Sequence, residues 1–147
     1  MKKLLAKQTI WSYLLLASTI LLIPGFIIFL VNSTTGYLAG SKLSALVIIL
    51  TILAFLVGIL MPIFGEKLRK FAGIGALLVA AMVGVSIAGI AWTIEGVAAD
   101  IFFIPVNYPE SENATWALGL TSVIFYLLSF LSATVACFGG KLYKEED

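Results

Sequence analysis

Residues Phe71 to Ile94 read FAGIGALLVAAMVGVSIAGIAWTI, 24 consecutive positions without an ionisable side chain. A helix rises about 1.5 Å per residue, so a run this long covers a hydrocarbon core of about 30 Å. Its apolar residues lack the period-two alternation of a membrane barrel strand. In lipid every backbone amide and carbonyl must be satisfied internally, which leaves the helix. Three further runs share the property: Ile10 to Val31, Leu43 to Phe64 and Thr115 to Gly140. The expectation is an all-α integral membrane protein, a four-transmembrane-helix bundle filling residues 1–147 as a single domain. Its spans are 10–31, 43–64, 71–94 and 115–140, with a loop over 95–114.

Composition agrees. Apolar residues make up 61% of the 147 positions and charged residues 12%, where a soluble domain carries roughly a quarter charged. A chain this short cannot bury that much apolar surface in its own core, so the bilayer is its first expected partner. A net charge of +1 gives no electrostatic case for nucleic acid. The lack of histidine removes the commonest general base and metal ligand. Cys137 stands alone, so no intrachain disulfide can form. Met1-Lys2-Lys3 and Lys7 look like the start of a signal peptide, but the apolar run after them is about twice the length of an h-region. It reads as a retained first span.

Basic residues set the orientation. With the N-terminus inside, Lys2, Lys3, Lys7, Lys67, Arg69, Lys70, Lys141 and Lys144 are cytoplasmic and only Lys42 lies outside. The positive-inside rule therefore places both termini in the cytoplasm. The loop over 95–114 carries Glu95, Asp100, Glu110 and Glu112 with no base. Trp11, Trp92 and Trp116 fall near span ends, where indoles favour the interface. The short lysine-rich tails look bacterial and point to a plasma membrane.

A weak repeat links the halves. Phe64 to Lys70 matches Phe138 to Lys144 at five of seven positions. A duplicated helical hairpin would produce this, and so would topology alone, since glycine ends helices and lysines mark the inner face.

Membrane helices associate through small residues and interhelical hydrogen bonds. Gly73, Ala76, Ala80, Gly84, Ala88 and Ala91 recur at steps of three or four along the third run. That helix is expected to be the most enclosed and to pack on the fourth. The fourth offers Gly119, Ser122, Ser129, Ser132, Ala133 and Ala136. Pro24-Gly25 and Pro62 mark kinks.

No catalytic, cofactor or metal site is legible. No Asp, Glu, Lys or Arg lies inside any run, and serines without a base are packing donors, not nucleophiles. The distinctive segment is 95–114, where Phe102 and Phe103 sit in a β-prone apolar stretch. Those two, with Glu95 and Asp100, are the candidate contacts for a partner or a cation. Asn32-Ser33-Thr34 and Asn113-Ala114-Thr115 are sequons too close to span ends for easy modification. The sequence is best read as a non-enzymatic accessory or structural subunit of a larger membrane complex, such as a transporter. Its partners would be other membrane subunits or further copies of itself. The alternatives are a small homo-oligomeric transporter or channel, and an immunity or stress-type membrane protein.

Overall fold

The chain folds as α1 (Ile10–Thr34), a 3-10 turn (Gly36–Leu38), α2 (Ala45–Phe64), α3 (Ala72–Phe103) and α4 (Glu110–Phe138). The computed structural model describes residues 8–39, 44–64, 72–103 and 110–139. All nine basic residues, and most of the two matched heptapeptides, lie outside them. Each helix is long and apolar enough to cross a membrane, which suggests a multi-pass membrane protein in contact with a lipid bilayer.

The helices form a ring in which each touches its two sequence neighbours and α1 closes onto α4. Buried positions on α4 are Glu112, Thr115, Gly119, Ser122, Tyr126, Ser129, Ala133 and Ala136. They step by three and four in alternation, the 3.5-residue period of left-handed helix packing. On α3 the stripe of Ala76, Val79, Ala80, Val83, Ser86, Ile90, Ile94 and Val97 keeps to steps of three or four, apart from the adjacent pair Val79 and Ala80, but without the strict alternation.

The small residues of the third run follow that stripe only in part. Ala76 and Ala80 are buried and Gly84 is half-buried against Phe130. Gly73 and Ala88 are exposed, and a Cβ at Gly73 would meet nothing within 4 Å. Three successive steps of four, from Ala76 to Ala88, carry the face about 120° round the helix at 100° per residue. The run of small residues therefore winds off the contact. α3 still buries the largest share of its apolar window.

The region 95–114 also differs from expectation. Residues 95–103 and 110–114 are helical, because α3 continues through Phe103 and α4 begins at Glu110, and the remaining stretch 104–109 lies outside the described residues. The β-propensity of Ile101-Phe102-Phe103 yields to helix because Val97 and Ile94 are buried on the same face as the stripe below. The edge of Phe102 meets Trp116 with centroids 5.8 Å apart, tying the two helix ends together.

The interior is unusually polar. Ser12, Ser18, Thr19, Asn32, Ser33, Thr51, Ser86, Glu112, Thr115, Ser122 and Ser129 are all buried. Isoleucines and leucines such as Ile20, Ile27, Ile49, Leu56, Leu77 and Leu131 face outward. Such an outer surface suits contact with lipid.

Candidate functional site

The polar side chains fall into two groups. The first is a ladder of hydroxyls between α1 and α4. Ser132 Oγ donates to the Leu14 carbonyl at 2.7 Å, Ser129 Oγ to the Ser18 carbonyl at 2.9 Å and Ser122 Oγ to the Gly25 carbonyl at 2.9 Å. The Ser18 and Ser129 hydroxyls also lie 2.9 Å apart. As one residue number climbs the other falls, so the helices are antiparallel. The hydroxyl face of α4 thus serves α1, rather than α3 as its sequence suggests.

Gly25 lets the helices come this close. A Cβ there would lie 2.9 Å from Tyr126 Cδ2 and 3.0 Å from Phe125 Cβ. The Pro24-Gly25 pair is therefore a pinch point: α1 runs on through Pro24, and bare backbone at Gly25 receives the Tyr126 ring. Tyr126 is fully buried, and its hydroxyl reaches across the ring of helices to Thr51 Oγ1 at 2.7 Å. The α4 serine protons go to α1 backbone carbonyls, which leaves Ser18 Oγ to donate to Ser129 Oγ, so the ladder clamps the two helices together. At the other end of the bundle Gln8 Nε2 donates to the Pro62 carbonyl at 2.6 Å, satisfying one of the open acceptors at the end of α2.

Between α1 and α2 the packing is looser. A cleft of about 320 Å³ is lined by Leu22, Phe26, Thr51, Phe55 and their neighbours. The Thr51 hydroxyl is already engaged with Tyr126. The cleft therefore has no polar group to orient a ligand.

The second group sits where α1, the 3-10 turn, α3 and α4 meet. The charged side chains among the described residues are Glu95, Asp100, Glu110 and Glu112, all at this end. Asp100 and Glu112 flank Tyr37 from α3 and α4. The Tyr37 hydroxyl donates toward Asp100 Oδ2 at 3.5 Å, a long hydrogen bond, and the Glu112 carboxylate stands near it. The charge of Glu112 foremost, with Asp100 adding to it, holds the Tyr37 phenol above its ordinary value of 10.0.

Glu112 is 3% exposed, and its Oε2 has no hydrogen-bond donor. One turn along, Thr115 is buried and packs beside Gly36, whose φ of 62° turns the chain over the end of α4. Deeper still, Asn32 is 3% exposed, packs near Gly119 and has an unpaired Oδ1. The first sequon asparagine is thus an interior residue.

Of the four candidate contact residues, Asp100 faces this cluster. Glu95, Phe102 and Phe103 are exposed. Glu95 lies five residues before Asp100, about 140° away round the helix, so the two do not form a common mouth. The second carboxylate near Tyr37 is Glu112, which spacing in the fourth run could have revealed: it continues the three-four alternation of Thr115, Gly119 and Ser122 by one step. No protein-family model, curated protein or solved structure matches the chain.

Proposed function

We propose that this chain is a multi-pass membrane protein serving as a non-enzymatic accessory or structural subunit of a larger membrane complex, such as a transporter. Both termini would face the cytoplasm of a bacterial cell, as the basic residues ask. The ring order of the helices is also the one a duplicated hairpin would give.

One observation carries this reading. On α3, Trp92 is 80% exposed and Phe103 is 83% exposed. They lie 11 residues apart, within about 20° of one face. Exposed small residues, Ala88, Gly96 and Ala99, sit between and below them on that side. α3 has 32 residues, a length of about 48 Å, whereas the hydrocarbon core needs about 30 Å. Where the positive-inside rule sets Arg69 and Lys70 at the inner surface, the last turns of α3 would stand beyond the lipid. Phe103 there has no acyl chains to cover it, while Trp92 stands about 30 Å along the helix, at the outer interface. A second helix could approach closely over the small residues and cover both rings.

The test is a native pull-down from the source membrane with mass spectrometry, run beside Trp92→Ala and Phe103→Ala. Loss of a discrete partner in both variants, with helicity retained, is expected. A purified chain that runs as a monomer and brings nothing with it would end the accessory reading. A homo-oligomeric transporter or channel is less well supported, because Glu95 and Asp100 point to different faces and the hydroxyl seam is closed on itself. Nothing in the geometry favours an immunity or stress role.

A further inference from the structure

We infer that Asp100, Tyr37 and Glu112 form a binding site for a divalent cation of the calcium class. This stands apart from the accessory reading, which rests on the exposed face of α3.

The case begins with a proton count. Tyr37 has one phenolic hydrogen and two carboxylates within reach, Asp100 Oδ2 at 3.5 Å and Glu112. One hydrogen cannot serve both. Two acidic groups are therefore held against one oxygen by three separate elements, the 3-10 turn, α3 and α4, each with its own packing. Like charges gathered in this way repel unless something positive joins them.

The second observation is independent of the gathering. Glu112 is almost wholly buried, yet its Oε2 accepts from nothing. A buried carboxylate oxygen without a donor is costly, and buried charges are ordinarily paired or metal-bound. Glu112 stands in the first turn of α4, where the helix dipole supplies only a partial positive charge. No lysine or arginine lies among the described residues. Asn32, deeper on the same side of α4, leaves a second buried oxygen unpaired. Among the described residues, this end of the bundle thus offers oxygen acceptors in excess of donors.

The donor atoms fix the class of ligand. Carboxylate, phenol and amide oxygens are hard ligands and select hard cations over zinc or copper. Two carboxylates match a charge of +2. Their supports, a 3-10 turn and two helix ends, give no octahedral frame, and calcium tolerates irregular oxygen shells where magnesium does not. Among the described residues no three His, Cys, Asp or Glu side chains converge to hold a metal. Affinity is accordingly weak, in the range of about 0.1–1 mM found for extracellular calcium modules.

The experiment uses the full chain in nanodiscs of zwitterionic lipid, so that headgroups do not capture the ion. Terbium(III), a luminescent stand-in for calcium, is excited through the aromatic side chains and then displaced with Ca²⁺. Saturable terbium emission that falls on adding calcium is expected. Glu112→Gln and Asp100→Asn should each weaken calcium competition at least tenfold, and Glu110→Gln, an exposed neighbour in the same turn, should leave it unchanged. Tyr37→Phe should dim the emission more than it weakens binding. If Glu112→Gln fails to fold, Asp100→Asn, at a half-buried position, carries the test alone. Absence of saturable binding, or equal calcium competition in wild type and Asp100→Asn, overturns the proposal.

Discussion

The hydrogen bond between Tyr126 and Thr51 permits a prediction whose two halves should differ. Both groups are buried and the oxygens are 2.7 Å apart. Interhelical side-chain hydrogen bonds in membranes average about 0.6 kcal/mol and reach about 1.7 kcal/mol. Removing one partner exposes the other's need for a mate, and the two are not equally able to find one. A helical threonine can turn its hydroxyl to the carbonyl four residues back. Thr19, Thr93, Thr121 and Thr134 all do so here, at 2.7–2.9 Å. In Tyr126→Phe, Thr51 gains that escape, so the cost should be about 1 kcal/mol. In Thr51→Val the phenol, held rigidly at the centre, has no such recourse. A stranded buried hydroxyl costs about 1–3 kcal/mol, so this variant should lose about 2 kcal/mol. The double mutant should cost less than the sum, with a coupling of about 1 kcal/mol. Reversible unfolding in mixed micelles titrated with SDS, followed by tryptophan fluorescence, reads all four species. A coupling near zero, or Tyr126→Phe costing more than Thr51→Val, would refute the reasoning.

Gly25→Ala should destabilise by about 1–3 kcal/mol in the same assay, because its methyl meets Phe125 Cβ, which no rotamer change can move away. Gly73→Ala, which meets nothing within 4 Å, should instead stabilise by about 0.5–1 kcal/mol. Ala99→Pro should unravel the end of α3 at a cost of about 3 kcal/mol, read as faster hydrogen exchange over residues 95–103; an unchanged exchange pattern would mean that this segment is not helical. Absorbance titration should place the Tyr37 phenol above 10.0, and Glu112→Gln should bring it back down. The unfolded chain releases that proton first, so the folded state binds more protons in this window. Stability should therefore fall as pH rises from the ordinary phenol value through the folded one.

The four helices were legible because lipid-facing helices need length and apolarity, and an unbroken run such as Phe71 to Ile94 carries both. Helix ends were less legible. Glu95 and Asp100 mark where the apolar run stops, but helicity beyond it is sustained by contacts such as Phe102 on Trp116 that a charge count cannot see. The small residues of α3 misled through their period. Glycine and alanine are tolerated on any face of a lipid-exposed helix, whereas the buried stripe keeps to 3.5 residues and admits Val79, Val83 and Ile90. In α4 Thr115, Ser122 and Ser129 lie on the stripe while Thr121, Ser132 and Thr134 fall beside it, and Glu112 continues it by one step. Tyr37 was not legible. Its place beside two carboxylates comes from the turn at Gly36, and nothing in the composition of residues 35–39 announces which helix ends that turn will cover.

The hydroxyl ladder joins the earliest-made helix of the four to the last. Its cross-helix bonds span 97 to 118 residues of sequence. With the helices made in chain order, Ser18 of α1 lacks its α4 partner Ser129 until α4 emerges. In that order closure of the ring comes last, and a chain ending after α3 leaves the face of α1 that receives the ladder uncovered.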